Sequence, residues 1–185
     1  MRPLPVRAHP IVLGTVVFLA SELMFFAALF ATYYDLKSTT AVWPPAGVHL
    51  DQSGSAIGTF MLFVASAVMF PFMRAIDRRN FKVANAWLYV SIVAGIAFLV
   101  LELRSWAQED FTMRSSAYAS TYLTMTGFHF LHVLIGVVRL TALFIGLRSP
   151  AFEADHHAGA EAISYYWHFV FIVWVGIYAT IFLIR

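Results

Sequence analysis

The sequence predicts an all-α membrane protein in which residues 1–185 form a single domain, a polytopic bundle of five transmembrane helices. Hydrophobic residues make up 61% of the chain and charged residues 12%, whereas about a quarter of residues are charged in soluble domains. Five apolar runs are each long enough to cross a hydrocarbon core of about 30 Å as a helix. Uninterrupted runs of this length are typical of helices rather than of the alternating segments of a membrane β-barrel.

The five helices are predicted at 11–34, 56–76, 83–106, 120–147 and 162–184. The first run continues past Glu22 without a small-residue cleavage site, so we expect a retained helix rather than a signal peptide. Trp43, Pro44 and Pro45 follow it and forbid helix, with the tryptophan suited to the membrane interface. Pro150 is expected to help end the fourth helix.

Basic residues in alternating loops predict the orientation of the bundle. One side carries Arg2, Arg7, Arg74, Arg78, Arg79, Lys82 and Arg148, and the other carries Lys37, Arg104, Arg114 and Arg185. This imbalance favours a cytoplasmic N-terminus and an external C-terminus. The net charge of +2 is scattered, which argues against a nucleic-acid partner. Cysteine is absent, which excludes disulfides and thiolate metal sites.

Glu22 is the most unusual residue of the first predicted helix. It lies about 16 Å along a helix that begins at residue 11, at a rise of about 1.5 Å per residue, and hence close to the bilayer centre. An isolated carboxylate at that depth costs several kcal/mol, so Glu22 should be neutral, paired, or in contact with water or another subunit. Two interpretations stay open, a neutral acid that bridges two helices and a group that takes up and releases protons.

The fourth predicted helix carries polar residues on one face. His129, His132, Gly136 and Arg139 share that face at helical spacing. Two imidazoles three residues apart can bind a metal together, with His168 as a conceivable third ligand. His129 and His132 lie near mid-membrane, and no full ligand set accompanies them. We therefore predict no metal site. Hydrogen bonds to other helices, with Glu22 as a partner, are expected instead.

Other polar residues have local interpretations. Glu161, Tyr165 and His168 form a stripe on the last helix that ends in an inward-facing histidine, and His156 and His157 are expected in a cytoplasmic loop. Glu102 is expected near the outer surface in an ion pair with its neighbour Arg104. Arg139 is expected to reach the cytoplasmic interface or to meet Glu161.

Four blocks of sequence carry a family resemblance. In chain order they are FLASELMFF at 18–26, WPPAG at 43–47, YASTYLTMTGFHFLHVLIG at 118–136 and EAISYYWHFV at 161–170. Together they resemble subunit III of haem-copper oxidases, the cytochrome c oxidase subunit III family, in its five-helix bacterial form. The blocks cover nearly the whole chain and keep the family's order, so the resemblance is specific.

The resemblance implies a non-catalytic, multi-pass subunit of a bacterial plasma-membrane oxidase that reduces oxygen to water and pumps protons. It implies haems and copper in partner subunits I and II, none bound by this chain, and phospholipid bound between the helices. Support of proton uptake and protection from inactivation are the implied roles. The family's proton-handling or structural polar network falls on Glu22, His129, His132, Glu161 and His168, and a surface proton-collecting pair falls on His156 and His157.

This sequence departs from the family pattern at several places. The longer family form has seven helices, whereas five are predicted here. Phe171 stands where the family usually has aspartate, and Glu102 stands where glutamine is more usual. Arg139 is also unusual on its helix. The resemblance therefore implies a rearranged polar network.

Several other functions remain open from the sequence. Subunit III of a quinol oxidase and the accessory subunit of a nitric oxide reductase share these motifs, and the electron donor is recognised elsewhere in such complexes. A freestanding metalloenzyme would use His129, His132 and His168. A small transporter would use Glu22 as its proton-coupled group.

Overall fold

A computed structural model describes residues 9–48, 50–148 and 156–184. These residues contain helices and no strand. The helices are α1 Pro10–Thr39, α2 Gln52–Ala67, α3 Met69–Asp77, α4 Phe81–Gln108, α5 Ala117–Gly146 and α6 His156–Tyr178, followed by a π-helical turn at Ala179–Leu183. Because α2 and α3 are consecutive parts of one span, five segments are long and apolar enough to cross a membrane. The predicted helix number is confirmed, whereas the orientation stays a prediction. Arg2, Arg7, Pro150 and Arg185 lie outside the described residues.

Capping side chains set where several helices begin. His9, Asp51, Asn80 and Ser116 each accept a hydrogen bond from a backbone N–H two or three residues later. Such a bond satisfies one of the N–H groups that lack a partner in the first turn of a helix. The helices therefore begin earlier than hydropathy alone predicts, as at Gln52 instead of residue 56.

The second membrane span is interrupted at Val68, a feature that the sequence prediction missed. Pro71 lies within this span, and a proline has no N–H to donate to the carbonyl four residues earlier, with which its ring also clashes. That carbonyl belongs to Ala67, the last residue of α2. The second span is thus two helices, α2 and α3, rather than the single helix predicted at 56–76.

The turn between α3 and α4 is tight because its backbone hydrogen bonds close a Schellman motif. Asn80 N donates to Ala75 O at 2.9 Å and Arg79 N donates to Ile76 O at 2.9 Å. Arg79 adopts φ 51°, the left-handed conformation that this motif requires at its C′ position. Asn80 then caps α4, so that α3 is followed directly by α4.

The last helix begins earlier than predicted and corrects one expectation. α6 starts at His156 rather than at residue 162, so His156 and His157 belong to its first turn and not to a loop. Alanines at 158, 160 and 162 favour this extension because alanine has the highest helix propensity. All three are buried, which adds packing to the local preference.

Trp167 of α6 is the centre of the packing among three helices. Its ring is buried and lies against Gly95 of α4 and Gly136 of α5. A Cβ atom placed on Gly136 would lie 2.2 Å from Trp167 Cζ3, and one on Gly95 would lie 3.1 Å from Trp167 Cη2. The two glycines therefore provide the space that the indole occupies, as small residues do between membrane helices.

Hydrogen bonds between side chains fasten α6 to α2. Trp174 Nε1 donates to Thr59 Oγ1 at 2.8 Å, and Ser66 Oγ lies 2.7 Å from His168 Nδ1. Lipid tails are as apolar as leucine, so membrane helices associate through close packing and such polar bonds rather than through a hydrophobic driving force. These bonds fix the rotation of α6 about its axis, and hence which of its residues face α1 and α5.

Helix α1 lies at the edge of the bundle, where it packs against α5 and α6. Only Phe26 and Tyr33 of this helix are buried. Near its C-terminal end, Tyr34 OH and Thr180 Oγ1 are 3.2 Å apart, and Lys37 Nζ donates to Ile184 O. With so little buried surface, the position of α1 depends strongly on its polar contacts.

We expect Gly136→Ala to destabilise the protein by about 1–3 kcal/mol, the usual cost of overpacking, because the new methyl group would meet the rigid indole of Trp167. Gly127→Ala on the same helix is the matched control, since nothing lies within 4 Å of a Cβ there. It should be neutral or stabilising by up to about 1 kcal/mol. Thermal unfolding of the purified protein distinguishes the two, and equal stability of both variants would contradict this packing.

Candidate functional site

Glu22 of α1 and His132 of α5 meet in the interior of the membrane span. Glu22 Oε2 lies 3.0 Å from His132 Nε2, and the two side chains are 21% and 12% exposed. The sequence placed Glu22 opposite the histidines of this helix, and the structure brings His132 to it. The bond joins the peripheral helix to the rest of the bundle.

The second ring nitrogen of His132 determines how protons are arranged in this pair. His132 Nδ1 lies 2.7 Å from Phe128 O. A carbonyl can only accept a hydrogen bond, so Nδ1 carries a hydrogen. Nε2 must then either accept a hydrogen bond from a protonated Glu22 or, in imidazolium, donate one to the carboxylate. Both arrangements are neutral overall, and they differ only in which side of a single hydrogen bond holds the proton.

Aromatic side chains cover the pair. The rings of Phe26 and His132 are 5.1 Å apart in an edge-to-face arrangement, and Tyr166 OH donates to His132 O at 2.9 Å. The guanidinium of Arg139 lies over the Tyr166 ring at 4.9 Å. These rings cover part of the pair, and its remaining exposure is on the two side chains, 21% for Glu22 and 12% for His132.

His129 does not share the contact with Glu22, which corrects the expectation that both histidines bond to such partners. Its ring is fully buried, stacks on Trp174 at 5.0 Å and lies edge-on to Phe98 at 5.7 Å. Among the described residues, neither ring nitrogen has a hydrogen-bond partner. Three residues along a helix rotate a side chain by about 60° from its starting direction, so His129 faces α4 and α6 while His132 faces α1.

The polar residues of α6 have partners away from Glu22. Tyr165 OH donates to Glu161 Oε1 at 2.8 Å within the helix. His168 bonds to Ser66 of α2 and lies 4.9 Å from the Phe70 ring. Glu161 and His168 are therefore not joined to Glu22 in one network, and each makes its own local contact. The functional roles of these residues stay predictions.

The histidine pair at the start of α6 is only partly described. His157 Nε2 lies 2.8 Å from Asp77 Oδ1 at the end of α3, with the two side chains 54% and 59% exposed. The side chain of His156 lies outside the described residues. The described contact thus joins α6 to α3 at a surface where protons exchange freely with water.

The three histidines considered for a metal do not form one ligand set. His132 bonds to Glu22, His129 packs against Trp174, and His168 bonds to Ser66. Across residues 9–48, 50–148 and 156–184, no group of three or more histidine or acidic side chains could hold a metal ion. The geometry does not support the freestanding metalloenzyme.

A groove lies between α1, α5 and α6, at least seven residues along α1 and α5 from Glu22 and His132. Its volume is about 340 Å³, and its mainly apolar lining includes Ile11, Thr15, Leu143 and Ile163 together with the Arg139 side chain. We expected Arg139 to reach the cytoplasmic interface or to meet Glu161. Its guanidinium lies over the Tyr166 ring, its side chain lines this groove, and its reach to the interface stays a prediction. A positive charge beside this apolar groove is suited to bind a molecule with an anionic head and a hydrocarbon tail.

Phe171, which stands where the related family usually has aspartate, is half-buried on α6. Its ring lies 5.9 Å from that of Phe63 on α2. An aromatic contact between two helices thus occupies the position at which a polar group was expected from the resemblance.

Glu102 is the clearest residue that the sequence interpretation misplaced. It is 4% exposed and lies on the buried face of α4, whereas its proposed partner Arg104 is exposed. The signal was present in the sequence, because Leu88, Ser91 and Gly95 define a helical stripe that reaches residue 102. The position of Glu102 on that stripe predicts its burial, whereas its closeness to the end of the helix does not.

Comparison with known proteins gives one consistent family. Residues 5–184 match the family model described as cytochrome c oxidase subunit III. The chain is 33% identical over 183 residues to a probable cytochrome c oxidase subunit 3 of Nocardia farcinica, covering 97% of this chain and 90% of that protein. It is 32% identical over 185 residues to cytochrome c oxidase subunit 3 of Corynebacterium diphtheriae, with the same coverage. With the subunit of Dugong dugon it shares 34% identity over 176 residues, which cover 91% of this chain and 67% of that longer protein.

Proposed function

The chain belongs to the cytochrome c oxidase subunit III family, and we propose that it is a non-catalytic subunit of a complex that passes electrons from cytochrome c to oxygen. It lies in the bacterial plasma membrane with a cytoplasmic N-terminus, beside subunit I, which carries haems and copper, and subunit II. The relatives are named as cytochrome c oxidase subunits 3, which supports this donor over a quinol or nitric oxide complex. The proposed role of this chain is to support proton uptake and the durability of the catalytic subunit.

The contact between Glu22 and His132 is the observation that carries the proton role. The pair holds a hydrogen bond of 3.0 Å in which one proton has two possible positions. Its partial exposure gives a route by which that proton exchanges with water or with an adjoining subunit. An intramembrane carboxyl that can change its protonation state is a general feature of proton relays. Glu22 then takes up protons on the way to the catalytic subunit, and His132 keeps its carboxyl in place.

The contact between His157 and Asp77 supports a second part of the proposal. Both side chains are exposed and 2.8 Å apart, on the side of the bundle for which the charge pattern predicts the cytoplasm. Histidine is the side chain whose ordinary pKa lies nearest to neutral pH. His157, with His156 beside it in the sequence, collects protons at that surface for delivery to the complex.

The groove beside Arg139 supports the binding of phospholipid by this subunit. Its volume of about 340 Å³ and apolar lining accommodate part of an acyl chain. The guanidinium at its side supplies donors that match phosphate geometry. A phospholipid held there fills the space between α1 and the neighbouring helices, and so stabilises the helix that carries Glu22.

Glu22→Gln tests the proton role. The amide keeps the size of the side chain and can still bond to His132, but it cannot take up or release a proton at neutral pH. We expect an assembled oxidase with nearly unchanged haem content and with slower proton uptake or a shorter active lifetime. Stopped-flow proton uptake and the decay of oxygen consumption during turnover measure these effects.

Asp35→Asn, at an exposed carboxyl on the same helix, is the matched control and should behave as wild type. Normal uptake, pumping and lifetime in the Glu22→Gln oxidase would remove the support for a proton role. Loss of haem content in that variant would instead assign Glu22 to assembly. Both results leave membership of the family unaffected.

Arg139→Gln tests the lipid role. Removing the guanidinium should reduce the phospholipid that co-purifies with the complex, as measured by quantitative lipid mass spectrometry. Arg148→Gln is the matched control. Like Arg139, Arg148 lies over an aromatic ring, here that of Phe144 at 4.1 Å from the centroid, but it is not among the residues that line the groove. An equal phospholipid content in both variants and the wild type would contradict a headgroup site at Arg139.

A further inference from the structure

A buried carboxyl lies between α4 and the N-terminal part of α5, away from the contact with Glu22. Glu102 of α4 is 4% exposed, and its Oε1 atom has no hydrogen-bond partner among the described residues. The neighbouring residue Tyr122 of α5 is ten positions before His132, or about 15 Å along the helix. The two carboxyls therefore belong to separate parts of the bundle.

Glu109, the C-cap residue that follows α4, lies within electrostatic reach of the buried carboxyl. It is half-buried, and its Oε2 atom also has no partner within the described part of the chain. Tyr122 lies within electrostatic reach of both glutamates and beside Ser105. Two carboxyl groups, each with an unpartnered buried oxygen, thus face the same small region between α4 and α5.

The charges around the two glutamates are mainly negative. Asp110 and Asp51 act on Glu109, and burial together with these two charges raises the pKa of Glu109 to about 7. The backbone N–H of Gly54 bonds to Asp51 and lowers the pKa of that carboxyl, so Asp51 stays ionised at neutral pH. Arg104 acts on Asp51 rather than on the buried carboxyl.

The phenols around the pair add no compensating positive charge. Tyr122 and Tyr118 approach it from α5, and Tyr122 hydrogen-bonds Glu109, which offsets part of the effect of burial. Trp106 lies beside Glu102 on α4 and donates to Thr126 Oγ1 at 3.2 Å. Two ionised carboxylates in this setting would repel each other without a cation to offset the cost of leaving water. A carboxyl in such a position binds a proton instead.

We propose that Glu102 and Glu109 form a proton-binding carboxyl pair between α4 and α5, which holds at least one proton at neutral pH. Glu102 is the buried member, and the half-exposed Glu109 is the route to water at the loop that follows α4. On release, an O–H bond breaks, the proton passes to water and a carboxylate remains. The orientation predicted from the loops places this site on the external side, opposite to the surface histidines.

The pair makes the packing of α4 on α5 dependent on pH. Because the native state binds the Glu109 proton more tightly than the unfolded state does, the corresponding stability is complete at acidic pH. It is lost as the pH rises from the ordinary value of 4.5 through about 7. Deprotonation of Glu109 also adds a carboxylate near the ionised Asp51 at this end of the two helices.

Infrared spectroscopy of the purified complex tests the proposal, because a protonated carboxyl has a C=O stretching band that a carboxylate lacks. Wild type should show such bands at acidic pH, with one component lost as the pH rises through about 7. Glu109→Gln should remove that component. Glu102→Gln should remove a second component that persists at neutral pH, and Asp35→Asn, at an exposed carboxyl, should remove neither.

Identical carboxyl bands in wild type and both glutamine variants would overturn the proposal. So would loss of the bands at constant pH when Ca²⁺ or Na⁺ is added, since a metal cation would then occupy the site. If Glu102→Gln does not assemble, Glu109→Gln still decides the matter. Its thermal unfolding midpoint should depend less on pH than that of wild type, and an unchanged pH dependence would contradict the pair.

Discussion

The hydrogen bond between Glu22 and His132 is the interaction on which the position of α1 depends. In lipid, an apolar helix gains nothing from leaving one hydrocarbon surface for another, and α1 buries only Phe26 and Tyr33. Its attachment therefore rests on a few polar contacts, of which the bond to His132 lies deepest along the helix. The same bond determines which face of α1 meets α5.

Glu22 and Glu102, two acids on membrane-spanning helices, each avoid an isolated buried charge, but in different ways. Glu22 has an imidazole opposite it, so a proton is shared and the pair is neutral in either arrangement. Glu102 has a second carboxyl and phenols near it, so neutrality requires that it hold a proton itself. The first arrangement suits a group that exchanges protons with little change in local charge, whereas the second couples protonation to helix packing.

Hydropathy predicted the five spans because the cost of burying backbone polar groups in lipid leaves few alternatives. It missed the interruption at Val68, although Pro71 supplies a sufficient cause, and the early start of α6 at His156. The contact of Glu22 with His132 could be predicted from the similar depth of the two residues in the membrane and from the polar face of the histidine helix. The different surroundings of His129 depend on how α4 and α6 are rotated about their axes. That rotation is set by side-chain contacts such as Trp174 with Thr59, which no pattern within a single helix encodes.

A double-mutant cycle on Glu22→Met and His132→Leu tests most directly whether this bond holds α1 in place. If the bond holds α1 in place, the coupling free energy in the stability of the purified complex should be about 0.5–2 kcal/mol, the range of hydrogen bonds between membrane helices. The same cycle on Glu22→Met and His168→Leu should be additive, because His168 bonds to Ser66 instead. Additivity of the Glu22 and His132 substitutions to within about 0.3 kcal/mol would contradict the account.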